Sequence, residues 1–154
     1  MTSIDFQVRP FEDDNDCHVV TPVVAGVVLV GLVEEFERRQ LFEPSGGYGG
    51  LIPEWFRFGS ALTHFLAADG AYLDEGRVPL LGCTCGEWGC WPLLVRITLD
   101  DEKVTWSDFR QPHRPDRDYS GFGPFVFKRR DYFDAIGAIS GVWISEGRSP
   151  RALG

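Results

Sequence analysis

The stretch LLVRITLDDEKVTW, residues 93–106, decides the fold class of this chain. Every second side chain from Leu93 to Leu99 is apolar, and the alternation resumes between Lys103 and Trp106. Because successive side chains on a strand point to opposite faces, this period of two predicts two strands that share one buried face. The acidic tripeptide between them predicts a turn, so the stretch is predicted to form an antiparallel β-hairpin.

Further strands and helices are predicted on both sides of this hairpin. Alternating or β-branched runs predict short strands at residues 5–9, 18–24, 78–82 and 124–127. Apolar residues at helical spacing predict three helices, one from Leu29 that ends before Pro44, one over 51–68 and one over 129–143. Helices that flank a meander of strands predict an α+β fold, with an antiparallel meander-like sheet and two or three packed helices.

The connections between these elements indicate one domain over residues 1–154. The glycine-rich segment PSGGYGG, residues 44–50, is predicted to be a flexible loop, and residues 145–154 are predicted to form a frayed tail.

In the first helix, the charged residues are predicted to face water: Glu34, Glu35, Glu37, Arg38 and Arg39.

Composition excludes several classes of protein. The 154 residues carry 15 Lys and Arg against 23 Asp and Glu, a net charge of −8, which argues against a nucleic-acid binder. The longest apolar run, residues 19–33, contains Pro22 and two glycines and is shorter than the ~20 residues needed to cross a bilayer. The acidic N-terminus does not resemble a signal peptide, so a cytoplasmic protein with reduced thiols is predicted.

Three of the four cysteines lie in the segment LLGCTCGEWGCW, at positions 83, 85 and 90. If strands over 78–85 and 90–99 form a hairpin, the four-residue loop between them places Cys85 opposite Cys90. Side chains two apart on a strand share a face, so Cys83 lies on the same side as Cys85. The pattern predicts that three sulfur atoms converge at the mouth of a hairpin.

Converging thiolates suit Zn²⁺, which takes four tetrahedral nitrogen or sulfur ligands. The spacing predicts Cys83, Cys85 and Cys90 as metal ligands and leaves the fourth open among Cys17, His18, His64 and His113. Two alternatives compete with a metal site. The cysteines could be small buried apolar residues beside tryptophans, or they could be redox-active thiols.

The segment QPHRPDRDY, residues 111–119, is the second candidate site. Arg114 and Arg117 could clamp a small anion, and His113 could act as a general base. The alternative is a surface loop in which arginines and aspartates neutralise one another. Trp88, held between two glycines at the tip of the predicted cysteine hairpin, is predicted to be exposed and to anchor a partner or a second copy of the chain.

The segment CTCGEWGCWPL, followed by VTWSDFRQPHR, GPFVF and RRDYFDAI, resembles a family of small uncharacterised bacterial proteins. Members are similar in their C-x-C-G-x-x-G-C-W-P-L segment and the strands that follow it. The resemblance covers residues 80–136, and a weaker similarity is found in the segment VVAGVVLVGLVEEFE, residues 23–37. The family has no assigned activity, so the resemblance implies no catalytic residues and groups only the cysteine segment with the QPHR segment.

These observations favour a non-enzymatic binding or interaction domain with a cysteine cluster at a hairpin. One version of this hypothesis is an immunity-like or inhibitor-like protein whose acidic face covers a basic partner. The alternative is a small enzyme or thiol-based redox sensor that uses Cys83, Cys85 and Cys90 with the His113–Arg114 loop. An enzyme predicts a concave pocket that joins the cysteines to His113.

Overall fold

The hairpin predicted from residues 93–106 lies inside a five-stranded antiparallel sheet. A computed structural model of the chain describes residues 1–56 and 58–143, so the predicted frayed tail at 145–154 lies outside the described residues. The elements are, in order, β1 (Ile4–Phe11), β2 (Asp14–Val24), β3 (Val27–Val28), α1 (Leu29–Arg39), β4 (Tyr48–Gly49), α2 (Ala61–Phe65), β5 (Val78–Cys83), β6 (Leu93–Leu99), β7 (Lys103–Arg110), β8 (Phe125–Lys128) and α3 (Arg129–Ile139).

The strands form two antiparallel sheets. The first has the order β1-β2-β3, and the second is a meander with the order β4-β5-β6-β7-β8. A backbone bridge connects the two, in which Val20 N–H donates to Leu51 O at 2.8 Å and Leu51 N–H donates to Val20 O at 3.0 Å. The predicted α+β fold is therefore confirmed, although the strands divide between two sheets.

The inner face of the second sheet builds the core. Trp106 on β7 lies opposite Ile97 on β6, and both are buried, as the alternation predicts. The indole N–H of Trp106 donates to the hydroxyl of Tyr132 on α3 at 3.0 Å, and this hydroxyl donates to Phe65 O on α2 at 2.5 Å. One apolar cluster thus joins the sheet to two helices.

The predicted helix over residues 51–68 is wrong, because Ala61–Phe65 is the only helix among the residues of this range that the structure describes. Leu51 is held in the bridge to Val20, and Gly59 adopts a φ of +84°, which a right-handed helix does not contain. Ser60 then caps α2, where its hydroxyl accepts from Thr63 N–H at 3.0 Å. The long-range bridge at Leu51 and the left-handed backbone at Gly59 therefore interrupt the helix that the local apolar pattern predicts.

The segment at residues 44–50 is not only a flexible loop. Tyr48 and Gly49 form β4, the first strand of the second sheet, and pair with Cys83 and Gly82 at the end of β5. The side chain of Tyr48 is buried. Glycine is favoured at position 49, because a Cβ atom there would lie only 3.0 Å from Cys83 O and would press on this backbone oxygen.

The third predicted helix ends earlier than expected, at Ile139, although Trp143 is buried as expected. Within the described ranges 1–56 and 58–143, no helix has the length and apolar character that crossing a bilayer demands.

Candidate metal centre

The cysteine loop, residues 84–92, connects β5 to β6. It is longer than predicted, because β5 ends at Cys83 and β6 begins at Leu93. A tight turn follows β5, in which Gly86 N–H donates to Cys83 O at 3.0 Å. Gly86 has a φ of +97°, and a Cβ atom there would lie 2.7 Å from the ring of Trp55, so only glycine fits this turn.

A short 3₁₀ turn at Trp88–Cys90 then brings the third cysteine back to the first. The carbonyl oxygen of Glu87 accepts from both Cys83 N–H and Cys90 N–H, each at 3.3 Å. One backbone carbonyl therefore holds the two ends of the cysteine segment together. The predicted pairing of Cys85 with Cys90 across a four-residue hairpin loop is wrong, but the convergence of the three cysteines is found.

The sulfur atoms of the cysteine cluster (Cys83, Cys85 and Cys90) lie within 4.8 Å of one another. Ligands of a tetrahedral Zn²⁺ with zinc–sulfur bonds near 2.3 Å are about 3.8 Å apart, so small side-chain adjustments bring the three sulfurs onto one ion. Cys83 is partly buried at the end of its strand, whereas Cys85 and Cys90 are exposed. The cluster could hold a metal ion at the protein surface.

Cys83 and Cys90 differ in acidity. Burial alone raises the pKa of Cys83, but the N–H of Cys85 and the thiols of Cys85 and Cys90 hydrogen-bond to its sulfur, and the net pKa falls below the ordinary value. Hydrogen bonding to Cys83 and its charge raise the pKa of Cys90 to about 11. Of these two thiols, Cys83 therefore more readily becomes a thiolate, the form that binds metal ions and reacts with oxidants.

Two of the four candidates for the fourth ligand are engaged elsewhere, on β2. Cys17 is buried, and its thiol donates to the Asp14 carboxylate at 3.4 Å. Burial and the Asp14 carboxylate raise the Cys17 pKa. His18 contacts the carboxylate of buried Glu54, with Nδ1 2.6 Å from Oε2. Neither residue belongs to the sulfur cluster.

His64 is also excluded as a ligand in this arrangement, because its side chain is fully buried in the core. Its Nε2 lies 2.8 Å from Pro79 O, and its ring packs against Phe58 and Trp143. Burial lowers the pKa of His64 to about 4, although the contact with Pro79 O opposes this. The residue is a neutral core histidine at neutral pH.

His113 lies beside the cysteine loop, but its ring is turned to a backbone carbonyl. Its Nε2 is 2.8 Å from Gly89 O, and the ring is stacked on Trp91 at an interplanar angle of 6°. Among the described residues, which include every Cys and His of the chain, no fourth ligand atom lies within the 4.8 Å that groups the three sulfurs.

The QPHR loop, residues 111–119, packs on the cysteine loop through the contacts of His113 with Gly89 and Trp91. Arg114 is exposed, with its guanidinium 5.0 Å from the centre of the Trp91 ring. Arg117 is only 6% exposed and donates to Glu37 Oε2 at 3.2 Å and to Pro44 O at 2.6 Å. The Arg117 guanidinium also lies over the Trp91 ring, 5.6 Å from its centre, but its bonds are made to Glu37 and Pro44. A binding role for His113, Arg114 and Arg117 stays a prediction.

The Glu37 cluster (Glu37, Tyr48, Arg117 and Tyr119) is a site that the sequence analysis missed. Its charge and position on the helix predict that Glu37 faces water, but it is fully buried on α1. Its Oε2 accepts from the hydroxyls of Tyr48 at 2.6 Å and Tyr119 at 2.5 Å, and its Oε1 accepts from Gly46 N–H at 2.8 Å. Burial and the bond to Glu37 raise the pKa of Tyr119 to about 12, although Arg117 opposes this.

The expectation of an exposed Trp88 is also wrong. Its ring is partly buried and contacts Tyr72 at a centroid distance of 4.9 Å and Phe58 at 6.4 Å. Its backbone packs on Gly82, where a Cβ atom would lie 2.6 Å from the Trp88 Cα. The exposed tryptophan beside the cysteine loop is Trp55, at 42% exposure.

Four cavities lined by described residues contain no cysteine in their walls. The largest, about 580 Å³, lies between the turn before β7 and the start of α3. One of about 320 Å³ lies at the outer side of the QPHR loop, and two others of about 290 and 180 Å³ lie beside α3 and beside Arg77. The enzyme hypothesis requires a cavity that joins the cysteines to His113. None of these four cavities does so.

Comparison with models of protein families, with curated proteins and with solved structures finds no match for this chain. The resemblance carried by the cysteine segment therefore stays a prediction. The chemistry of the cysteine cluster and its surroundings is the remaining basis for a function.

Proposed function

We propose that the protein is a non-enzymatic binding protein whose cysteine cluster holds one Zn²⁺ ion. The observation that carries this proposal is the grouping of three sulfur atoms within 4.8 Å at the surface. Thiolate sulfur favours Zn²⁺ and other soft ions over Mg²⁺ and Ca²⁺, which prefer oxygen. The role of the ion lies in binding rather than in catalysis.

The position of the cluster supports a surface role over a purely structural one. Cys85 and Cys90 are exposed, and the main apolar core is built from residues on both sheets and on the helices. Zinc fingers that lack such a core unfold without their metal. The main core of this chain contains none of the three clustered cysteines, so the folded state is expected to persist when the ion is removed.

Native mass spectrometry of freshly reduced protein, before and after treatment with EDTA, tests the proposal. One Zn²⁺ per chain is expected before treatment, and the bare mass with an unchanged, compact charge distribution is expected afterwards. The bare mass in zinc-supplemented samples would contradict the proposal.

Matched variants assign the ion to the cluster. Cys83→Ser is expected to abolish stoichiometric binding, because it removes one of the three thiolates. Cys17→Ala removes a thiol outside the cluster and is expected to retain the ion. Retention of one Zn²⁺ by the Cys83 variant would place the ion elsewhere.

The interaction role is part of the same proposal. A net charge of −8 supports attraction of a basic protein partner and does not favour nucleic acid. The predicted alternatives are a second copy of the chain and a small anion at Arg114. Pull-down with the zinc-loaded and the EDTA-treated protein tests whether a partner depends on the ion.

A second candidate function, a thiol redox sensor, is favoured by the closeness of Cys83 to two other thiols. A hydroperoxide would oxidise the Cys83 thiolate to a sulfenic acid and be reduced to an alcohol or water. Condensation with the Cys90 thiol would then form the disulfide and release water. The lowered pKa of Cys83 supports this order of events.

Peroxide treatment of metal-free protein separates the two candidates. A sensor forms one disulfide at equimolar hydrogen peroxide, detected as the loss of two hydrogen masses and blocked in Cys83→Ser. A metal-binding protein loads Zn²⁺ at neutral pH and forms the disulfide only with a large excess of peroxide.

A further inference from the structure

The chain provides three soft donor atoms to the cysteine cluster and commits its other candidates elsewhere. Cys17 bonds to Asp14, His18 to Glu54, and His64 is buried in the core. His113 is turned to the carbonyl of Gly89. Arg57 and residues 144–154, which the structure does not describe, contain neither cysteine nor histidine in the sequence.

We propose that the fourth coordination position of the bound ion is taken by an exchangeable outside ligand, and that the protein passes its ion to thiol-bearing or imidazole-bearing acceptors. This inference rests on the proposed function. Sites in which protein side chains fill all four positions are closed, whereas sites with three protein ligands keep a position for water or another molecule. The cysteine cluster is of the second kind.

Exposure of the cluster makes that position reachable. Cys85 and Cys90 are both exposed, and they lie on the cysteine loop. An acceptor can therefore approach the ion before any protein ligand leaves.

Transfer by this route is a ligand exchange without any change of oxidation state. The acceptor thiol gives up its proton to solvent and forms a sulfur–zinc bond, while the bond from zinc to water breaks. One protein sulfur then leaves the ion and takes up a proton from solvent. Repetition of this exchange moves the ion to the acceptor, and the protons released and taken up balance.

The backbone sets an order of departure. Cys83 is the last residue of β5 and is held in register with Tyr48 of β4. Cys85 and Cys90 lie beyond the strand, on the cysteine loop. The loop cysteines are therefore the first to leave the ion, and Cys83 is the last.

Cobalt substitution tests the open position. Co²⁺-loaded protein has visible absorption bands that depend on all of its ligands. Addition of imidazole, or of 2-mercaptoethanol in a second sample, is expected to shift these bands while the ion remains bound. Bands that do not respond to either additive would show that the protein fills the fourth position itself, and would overturn the inference.

Two variants sharpen this test. His113→Gln and Cys17→Ala are expected to show the same cobalt spectrum as the unchanged protein before any additive is present. An altered spectrum in either variant would identify that residue as the fourth ligand and overturn the inference.

Stopped-flow transfer of Zn²⁺ to the chromogenic chelator 4-(2-pyridylazo)resorcinol measures the exchange itself. The rate is expected to double with each doubling of chelator concentration, because the chelator attacks the bound ion. A rate that does not change with chelator concentration would mean that the ion must leave first, and would overturn the transfer mechanism. The stoichiometry of loading is measured beforehand, so that failure to bind Zn²⁺ at all is recognised as failure of the proposed function.

Discussion

The QPHR loop contacts two polar clusters with opposite properties. At one end, Arg117 enters the Glu37 cluster, where a fully buried carboxylate accepts from Gly46 N–H, two tyrosine hydroxyls and the guanidinium. At the other end, His113 contacts the cysteine loop, whose thiols are close together and partly exposed, with no fourth ligand atom grouped with them among the described residues. The polar groups of the Glu37 cluster are satisfied by one another, so they stabilise the fold. The thiols of the cysteine cluster can still bind a further atom, so they are available for function.

This comparison predicts a clean separation of effects. Changes in the Glu37 cluster and the core should lower stability, and changes in the cysteine cluster should remove metal while leaving stability almost unchanged.

The largest loss of stability is expected from Glu37→Ala. It leaves the buried Arg117 guanidinium without its carboxylate, and removing one partner of a buried pair costs about 3–5 kcal/mol. Guanidinium chloride unfolding measures the loss. Glu35→Ala on the same helix removes an exposed ion pair with Arg39 and is expected to cost less than about 0.5 kcal/mol. Similar losses in the two variants would contradict the contrast.

The next largest effect is expected from acid. Burial lowers the pKa of His64 from 6.5 to about 4, so the unfolded chain binds a proton that the folded protein does not. Stability from this group is therefore complete above pH 6.5 and is lost as the pH falls from 6.5 to 4, by about 3 kcal/mol in all.

Unfolding curves at pH 7 and at pH 5 measure this dependence. His64→Gln, which does not titrate, is expected to lose less stability between the two pH values than the unchanged protein does. An equal loss in the variant would assign the acid sensitivity to other groups.

A smaller effect is expected from Tyr119→Phe. The variant removes one hydroxyl that donates to Glu37 and leaves the other donors in place, at a cost of about 1–2 kcal/mol. Chemical unfolding measures the loss, and an additional test is Zn²⁺ binding, which should not change. Loss of the ion in this variant would show that the two clusters are coupled through the QPHR loop.

The smallest effect on stability is expected from replacing all three cysteines of the cluster by serine. In metal-free protein the unfolding free energy should change by less than about 1 kcal/mol, because two of the side chains are exposed. With Zn²⁺ at about 100 times its dissociation constant, only the unchanged protein should gain about 2.7 kcal/mol. A large loss without metal would indicate that the cysteines pack the fold.

Local sequence patterns predict the elements whose stabilising contacts are near in sequence. The period of two in residues 93–106 predicts the β6–β7 hairpin, and helical spacing from Leu29 predicts α1. The false helix over 51–68 arises because its apolar residues satisfy a helical pattern locally. The bridge from Leu51 to Val20, which takes Leu51 out of the predicted helix, joins residues that no local window contains.

The candidate site is predicted in part. The grouping of the three cysteines follows from their spacing, although the loop that produces it differs from the predicted one. Glu37 is missed because a charged residue is expected to face water. Its spacing from Leu29 and Val33, four residues per step along the buried face of α1, is the signal that could have identified it.

The shared carbonyl of Glu87 has a consequence for how this loop can vary among related sequences. Its oxygen holds Cys83 and Cys90 together, but the exposed side chain at position 87 contributes nothing to that contact. Substitutions should therefore be tolerated at position 87. They should not be tolerated at the neighbouring Gly86, where the absence of a Cβ atom makes room for Trp55. Of two adjacent positions in one turn, the first is constrained by the shape of its residue and the second only by its backbone.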